Sequence, residues 1–149
     1  KRAMANSVKL EIMTPSKRVY SGEVELVIVR TLTGDEGFMA NHAWATKLLD
    51  VGELWIQEAG SKDYRIAAIS EGFVDVKESI VIFTDAAEWA EDINMERALS
   101  TKATMEDWLI HDQKHNPDEV AIAKINIAKA ITRMNVAEGG ARRKHLTGR

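Results

Sequence analysis

Apolar residues recur with a period near two from the start of the chain to about Thr84. Val8, Leu10 and Ile12 alternate with Lys9 and Glu11, and Val24, Leu26 and Ile28 alternate with Glu23, Glu25 and Val27. Such alternation places one set of side chains on the buried face of a sheet. Leu54-Trp55-Ile56, Tyr64 to Ile69 and Phe73 to Val76 are further short β-rich runs, and Ile80 to Phe83 is apolar on both faces, as in a fully buried strand. Thr14-Pro15-Ser16, Ser21-Gly22, Gly34-Asp35-Glu36-Gly37, Asp50-Val51-Gly52 and Ala59-Gly60-Ser61 break the runs at short intervals. Many short strands with regular breakers predict a β-sandwich or barrel.

Beyond Thr84 the pattern turns helical, and no glycine appears until Gly139. Asp92 or Asn94 can cap a first helix running to about Asp112, with a thin stripe of Met95, Leu99, Ala103 and Ile110 and with Met105 and Trp108 beside it. Asn116, Pro117 and Asp118-Glu119 open a second helix. Val120, Ile127, Ile131 and Met134 recur along it at helical spacing, and Gly139-Gly140 ends it. The short link between them makes the helices antiparallel neighbours. The predicted class is α+β: an N-terminal β-sandwich of about ten short strands, then a C-terminal antiparallel two-helix hairpin. The expected limits are 5–87 for the sandwich, 88–138 for the hairpin and 139–149 for a basic tail.

Composition narrows the function classes. The chain has 149 residues, a length suited to one domain with an appendage, and no cysteine, which removes disulfides, thiolate zinc sites and cysteine nucleophiles. A net charge of −3 gives no case for nucleic-acid binding. No apolar run exceeds four residues, so no transmembrane segment is expected, and the basic start leads into polar sequence, unlike a signal peptide. Met4 is expected to be the natural start.

The near-neutral total is a cancellation. Residues 85–112 carry eight acids and two bases, while residues 113–149 carry three acids and eight bases. A closed hairpin can attract itself, and an opened one presents a single sign of charge on each arm.

Enzyme signatures are mostly absent. The chain has no Gly-rich phosphate loop before a helix, no G-x-S-x-G elbow and no H-E-x-x-H. His111 and His115 have a metal-compatible spacing, but they flank a helix break and lack a third ligand, so no metal is expected. Lys129 and Arg133 share a helix face and are expected to converge with Arg97 in a closed hairpin. Clustered cations of this kind suit a phosphate chain or a carboxylate-rich protein surface.

Several segments resemble one family. Thr14-Pro15 with Val19-Tyr20-Ser21-Gly22-Glu23-Val24-Glu25, Ser70-Glu71-Gly72-Phe73-Val74-Asp75-Val76, Thr84 to Trp89 with Glu91-Asp92-Ile93, and Arg133 to Glu138 follow in the order found in the epsilon subunit of bacterial and chloroplast F-type ATP synthases. The resemblance implies a non-catalytic central-stalk subunit, peripheral to the membrane on the cytoplasmic face in bacteria or the thylakoid stromal face in chloroplasts. Its implied partners are the gamma subunit, the ring of c subunits and, through an extended hairpin, the alpha/beta catalytic head. It implies coupling of proton or sodium flow to ATP synthesis, and a hairpin that inhibits ATP hydrolysis when extended.

The resemblance also carries over site residues. The family's G-x-x-P-G-H-x-P-L loop falls on Gly37 to Ala45, with Asn41 replacing a glycine and Ala40 and Trp44 replacing prolines. Asp35 and His42 are the implied c-ring contacts. The nucleotide motif I/L-D-x-x-R-A falls on Ile93, Asn94, Arg97 and Ala98, with Glu88, Lys129 and Arg133 completing the implied ATP site. Asn94 lacks the carboxylate charge and Lys129 lacks the bidentate fork of arginine, so ATP is expected as a weak regulatory ligand and no cofactor is required. The alternative is a free-standing ATP-sensing module whose hairpin closes on nucleotide.

Overall fold

Residues 6–111 and 114–139 are described by a computed structural model, in which they form two compact units parted between Trp89 and Ala90. The first unit holds nine strands: β1 (Val8–Met13), β2 (Arg18–Thr31), β3 (Gly34–Phe38), β4 (Ala45–Leu49), β5 (Gly52–Glu58), β6 (Tyr64–Ile69), β7 (Gly72–Val76), β8 (Ile80–Thr84) and β9 (Ala87–Trp89). Their order is β1-β8-β7-β4-β2-β5-β6-β9, with β3 also on β2 and a second pairing of β1 with β2. The β1–β8 pair is parallel and the others are antiparallel. The 14-residue β2 joins the two halves of the sandwich, pairing with β1 through its first half and with β3 and β5 through its second. Leu10, Ile12, Val24, Val27, Val29, Phe38, Leu54, Ile56, Val74, Val76, Ile80 and Ile82 fill the core.

The β1 alternation holds, with Val8, Leu10 and Ile12 buried. On β2 the expected inward set fails after Val24. A bulge places Glu25 as an extra residue between Val24 and Leu26, which face the consecutive Glu58 and Gln57. One extra residue exchanges the two faces of a strand. Val27, Val29 and Thr31 therefore point inward, while Leu26 and Ile28 are half-buried.

Two further expectations are corrected. Gly34 to Gly37, read as a break, begins β3. The chain reverses at Leu32-Thr33, Gly34 takes φ +121°, and Gly37 lies open beside Leu26 and Ile28. Ile80 to Phe83 is not buried on both faces: Ile80 and Ile82 point inward, whereas Phe83 is 41% exposed.

Thr84 closes the last strands together. Its buried hydroxyl accepts from the Ser70 N–H at 3.1 Å and lies within donating distance of the Ser70 carbonyl (3.0 Å) and the Ala86 carbonyl (3.1 Å). Glu88 and Trp89, expected to open the hairpin, lie on β9, which pairs with β6.

The second unit begins with a 3-10 turn over Ala90–Asp92, followed by α1 (Met95–His111) and α2 (Pro117–Ala137). Asn94, not Asp92, caps α1, its Oδ1 accepting from the Arg97 N–H at 3.0 Å. Asn116 caps α2 in the same way, accepting from the Glu119 N–H at 3.0 Å. His115 stacks on Trp108 at the link, and α1 and α2 run antiparallel.

The expected α1 stripe is not the buried one, and on α2 the expected Val120, Ile127 and Met134 are half-buried. On α1 Ala98 is buried, while Leu99 and Ile110 are exposed. Half-buried Met105 follows Ala98 in phase, and Leu99 is turned about 100° from it. On α2 the buried residues are Ala123, Ala130 and Val136, and Ile131 is exposed. The basic tail from residue 140 lies outside the described residues.

Candidate functional site

Three regions carry the candidate residues. At the base of the hairpin, α1 starts on Asn94, whose carbonyl accepts the first helical bond from the Ala98 N–H at 3.1 Å. Ile93 is half-buried and donates its N–H to the Ala90 carbonyl. Ala98 is fully buried, and the Arg97 side chain is exposed one residue before it. Lys129 and Arg133 lie half-buried on α2, one turn apart, and neither is without a partner. Six of the seven residues implied for nucleotide therefore belong to the second unit, while Glu88 sits on β9 of the first.

The second region surrounds β3. Asp35 lies beside the β2–β3 turn and faces Arg30 across the ladder. The guanidinium grips its carboxylate with two bonds, Nε to Oδ1 at 2.6 Å and Nη2 to Oδ2 at 3.3 Å. The bond to Asp35 outweighs partial desolvation and raises the pKa of Arg30. His42 lies beyond the other end of β3, its ring edge-on to Phe38 at 4.8 Å. Its Nδ1 is 2.7 Å from the Ala43 carbonyl. Asn41, at the family's glycine position, holds a left-handed φ of 65°, a conformation that asparagine tolerates better than most residues. Asp35 within the start of β3 and His42 beyond its end thus do not sit side by side.

The third region was missed in the sequence. Leu48 on β4 faces Phe73 on β7, Phe73 faces Phe83 on β8, and Phe83 faces Met13 on β1. Directly opposed residues share a face, so the four form one apolar row across the outside of the sheet. Leu48 is 61% exposed, and the two phenyl rings stack with centroids 4.9 Å apart. A hollow of about 400 Å³ beside the rings is lined by Met13, Pro15 and Asp85. The next row on the same face is largely polar, with the Thr46 hydroxyl donating to Asp75 at 2.9 Å and Glu11 opposite Val81. The available signal was that Phe73 and Phe83 are out of phase with Val74, Val76, Ile80 and Ile82.

His111 and His115 are not brought together on a metal. The Nδ1 of His111 is 2.9 Å from Asp107 Oδ1, and the Nε2 of His115 is 2.7 Å from the Trp108 carbonyl. Among the described residues no group of three or more ligating side chains is placed to hold an ion.

The sandwich matches a family model over residues 7–90, the β-sandwich domain of the ATP synthase delta/epsilon chain. The chain belongs to the ATP synthase delta/epsilon family. It is 38% identical over 136 residues to the ATP synthase epsilon chain of Desulforamulus reducens, covering 91% of this chain and 100% of that protein. Identity is 44% over 104 residues to the epsilon chain of Alkaliphilus oremlandii, covering 69% and 76% of the two chains. A chain of the Euglena gracilis mitochondrial ATP synthase, solved with OSCP, F1 and the c ring, shares the fold with TM-score 0.73 at 19% identity, over 85% of this chain and 78% of that one. The epsilon chain is a subunit of the synthase and not its catalytic one. Among the described residues of this family member no helix is long and apolar enough to cross a membrane.

Proposed function

We propose that this chain docks its sandwich on the gamma subunit and the c ring, and so couples ion flow to the rotation that drives ATP synthesis. The observation that supports this reading best is the row Leu48–Phe73–Phe83–Met13. An exposed apolar patch beside polar residues is the usual mark of a protein interface. The row is the gamma-facing surface in this reading, and Asp35 and His42 meet the c ring. The chain then sits at the membrane without entering it, on the cytoplasmic face in a bacterium.

The hairpin is the regulatory arm. Leu99, Ile110, Ile122, Ile125 and Ile131 are exposed on it, and its buried positions are mostly alanine, so undocking exposes little further apolar area. Extended, its basic second helix faces the alpha/beta head and blocks hydrolysis. ATP acts as a weak ligand of the folded arm through Asn94, Arg97, Lys129 and Arg133.

Reconstitution of the synthase tests both halves. Phe73→Asp with Phe83→Asp is expected to abolish co-purification with gamma while circular dichroism stays unchanged. Retained co-purification removes the row from the interface. Deletion of residues 90–149 is expected to raise ATP hydrolysis, and an equal rate removes the inhibitory role.

A further inference from the structure

The strand that leads into the hairpin is too short to hold itself in place. β9 has three residues and pairs with β6 alone. A short edge strand frays readily unless side chains retain it. Its pairing sets Trp89 opposite Ala67 and Glu88 opposite Ala68. Arg65, two residues along β6 from Ala67, shares the face on which Trp89 stands, within diagonal reach of a large side chain.

That reach is used. The Arg65 guanidinium carbon is 4.0 Å from the centroid of the Trp89 ring and 5.7 Å from that of Tyr20. The two rings meet edge to face at 5.9 Å and 65°. Tyr20 is itself fixed: it is 8% exposed, and its hydroxyl donates to Glu58 Oε2 at 3.0 Å. Tyr20, Glu58, Arg65 and Trp89 come from four strands, and the cluster lies on the last residue before the division between the two units. A cation over an indole face is the strongest of the side-chain cation–π pairings.

We propose that Arg65 is a positioning residue for the hairpin: its guanidinium, set against the Trp89 and Tyr20 rings, staples β9 to the sheet and confines the hairpin's swing to residues 90–94. Those residues are the 3-10 turn, Ile93 and the cap Asn94, a segment with few buried side chains. With the staple closed, the arm pivots from a fixed point. With it open, β9 joins the moving segment and the arm leaves from Thr84. The regulatory consequence rests on the reading of the hairpin as a movable arm; the staple does not.

Hydrogen exchange on the full chain tests the staple. In Arg65→Leu, residues 87–89 are expected to exchange about tenfold faster, with β1 to β8 unchanged. Arg65→Lys keeps the cation and is expected to recover part of the protection. Trp89→Leu is expected to match Arg65→Leu, and the double variant to add little to either. Unchanged exchange in Arg65→Leu, a loss spread over the whole sheet, or full additivity overturns the proposal. In the reconstituted synthase Arg65→Leu is expected to change the extent of inhibition, with Arg65→Lys closer to the parent. If deletion of residues 90–149 leaves hydrolysis unaltered, the movable-arm reading fails while exchange still decides the staple.

Discussion

Gly72 lies so close to the Phe83 carbonyl that any Cβ at this position would overlap the oxygen. The contact is backbone against backbone, so no side-chain rotation relieves it. It also holds β7 and β8 in the register that stacks Phe73 on Phe83. Gly72→Ala is expected to cost about 1–3 kcal/mol, the usual range for forced overpacking. Urea unfolding checks this, with the midpoint falling and the slope unchanged.

Thr84 offers a cleaner test of a buried polar group. Its Oγ1 serves Ser70 and Ala86 from a position 4% exposed. Thr84→Val keeps the shape and removes the hydroxyl, while the Ser70 N–H keeps its bond to the Ala86 carbonyl at 3.0 Å. The expected loss is about 0.5–1.5 kcal/mol, read as a lower urea midpoint. Faster exchange at residue 70 would locate it.

Tyr20 makes stability depend on alkaline pH. Burial raises its pKa from 10.0 to about 12, with the hydrogen bond and the negative charge of Glu58 adding to the rise and Arg65 opposing it. Across that window the unfolded chain has released the phenolic proton while the folded chain still holds it. Folding then binds a proton, so stability falls as pH rises and is fully present below the unfolded pKa. Tyr20→Phe removes the effect. The urea midpoint of the parent is expected to drop more steeply between pH 10 and about 12 than that of the variant.

What could be read without coordinates follows from where the determining contacts lie. The β1 alternation and the Asn116-Pro117 start of α2 are set by residues near in sequence, and both were legible. The β2 bulge is decided by its pairing with Glu58 and Gln57 on β5, about thirty residues away, so the alternation Val24-Leu26-Ile28 pointed to the wrong face. The α1 stripe failed and the α2 stripe was incomplete because alanines hold the buried positions, and alanine carries little hydrophobic signal. Among site residues, the cap at Asn94 and the shared face of Lys129 and Arg133 were visible as local patterns. The row from Leu48 to Met13 and the Arg65–Trp89 contact exist only through cross-strand register, which no local pattern encodes.

Asn94 separates capping from nucleotide binding. Its Oδ1 accepts from the Arg97 N–H, so Asn94→Ala is expected to weaken α1 by about 1 kcal/mol. Faster exchange in the first turn, with the sandwich unaffected, would show it. Asn94→Asp keeps the acceptor and adds a negative charge at the positive end of the helix, worth about 0.3–1 kcal/mol. The aspartate also restores the residue found in the resembled nucleotide motif. Calorimetric titration of the full chain is therefore expected to show ATP binding that strengthens in Asn94→Asp and weakens in Asn94→Ala. If Asn94→Asp stabilises the helix and leaves ATP affinity unchanged, Asn94 acts as a cap alone and the nucleotide reading of this position fails.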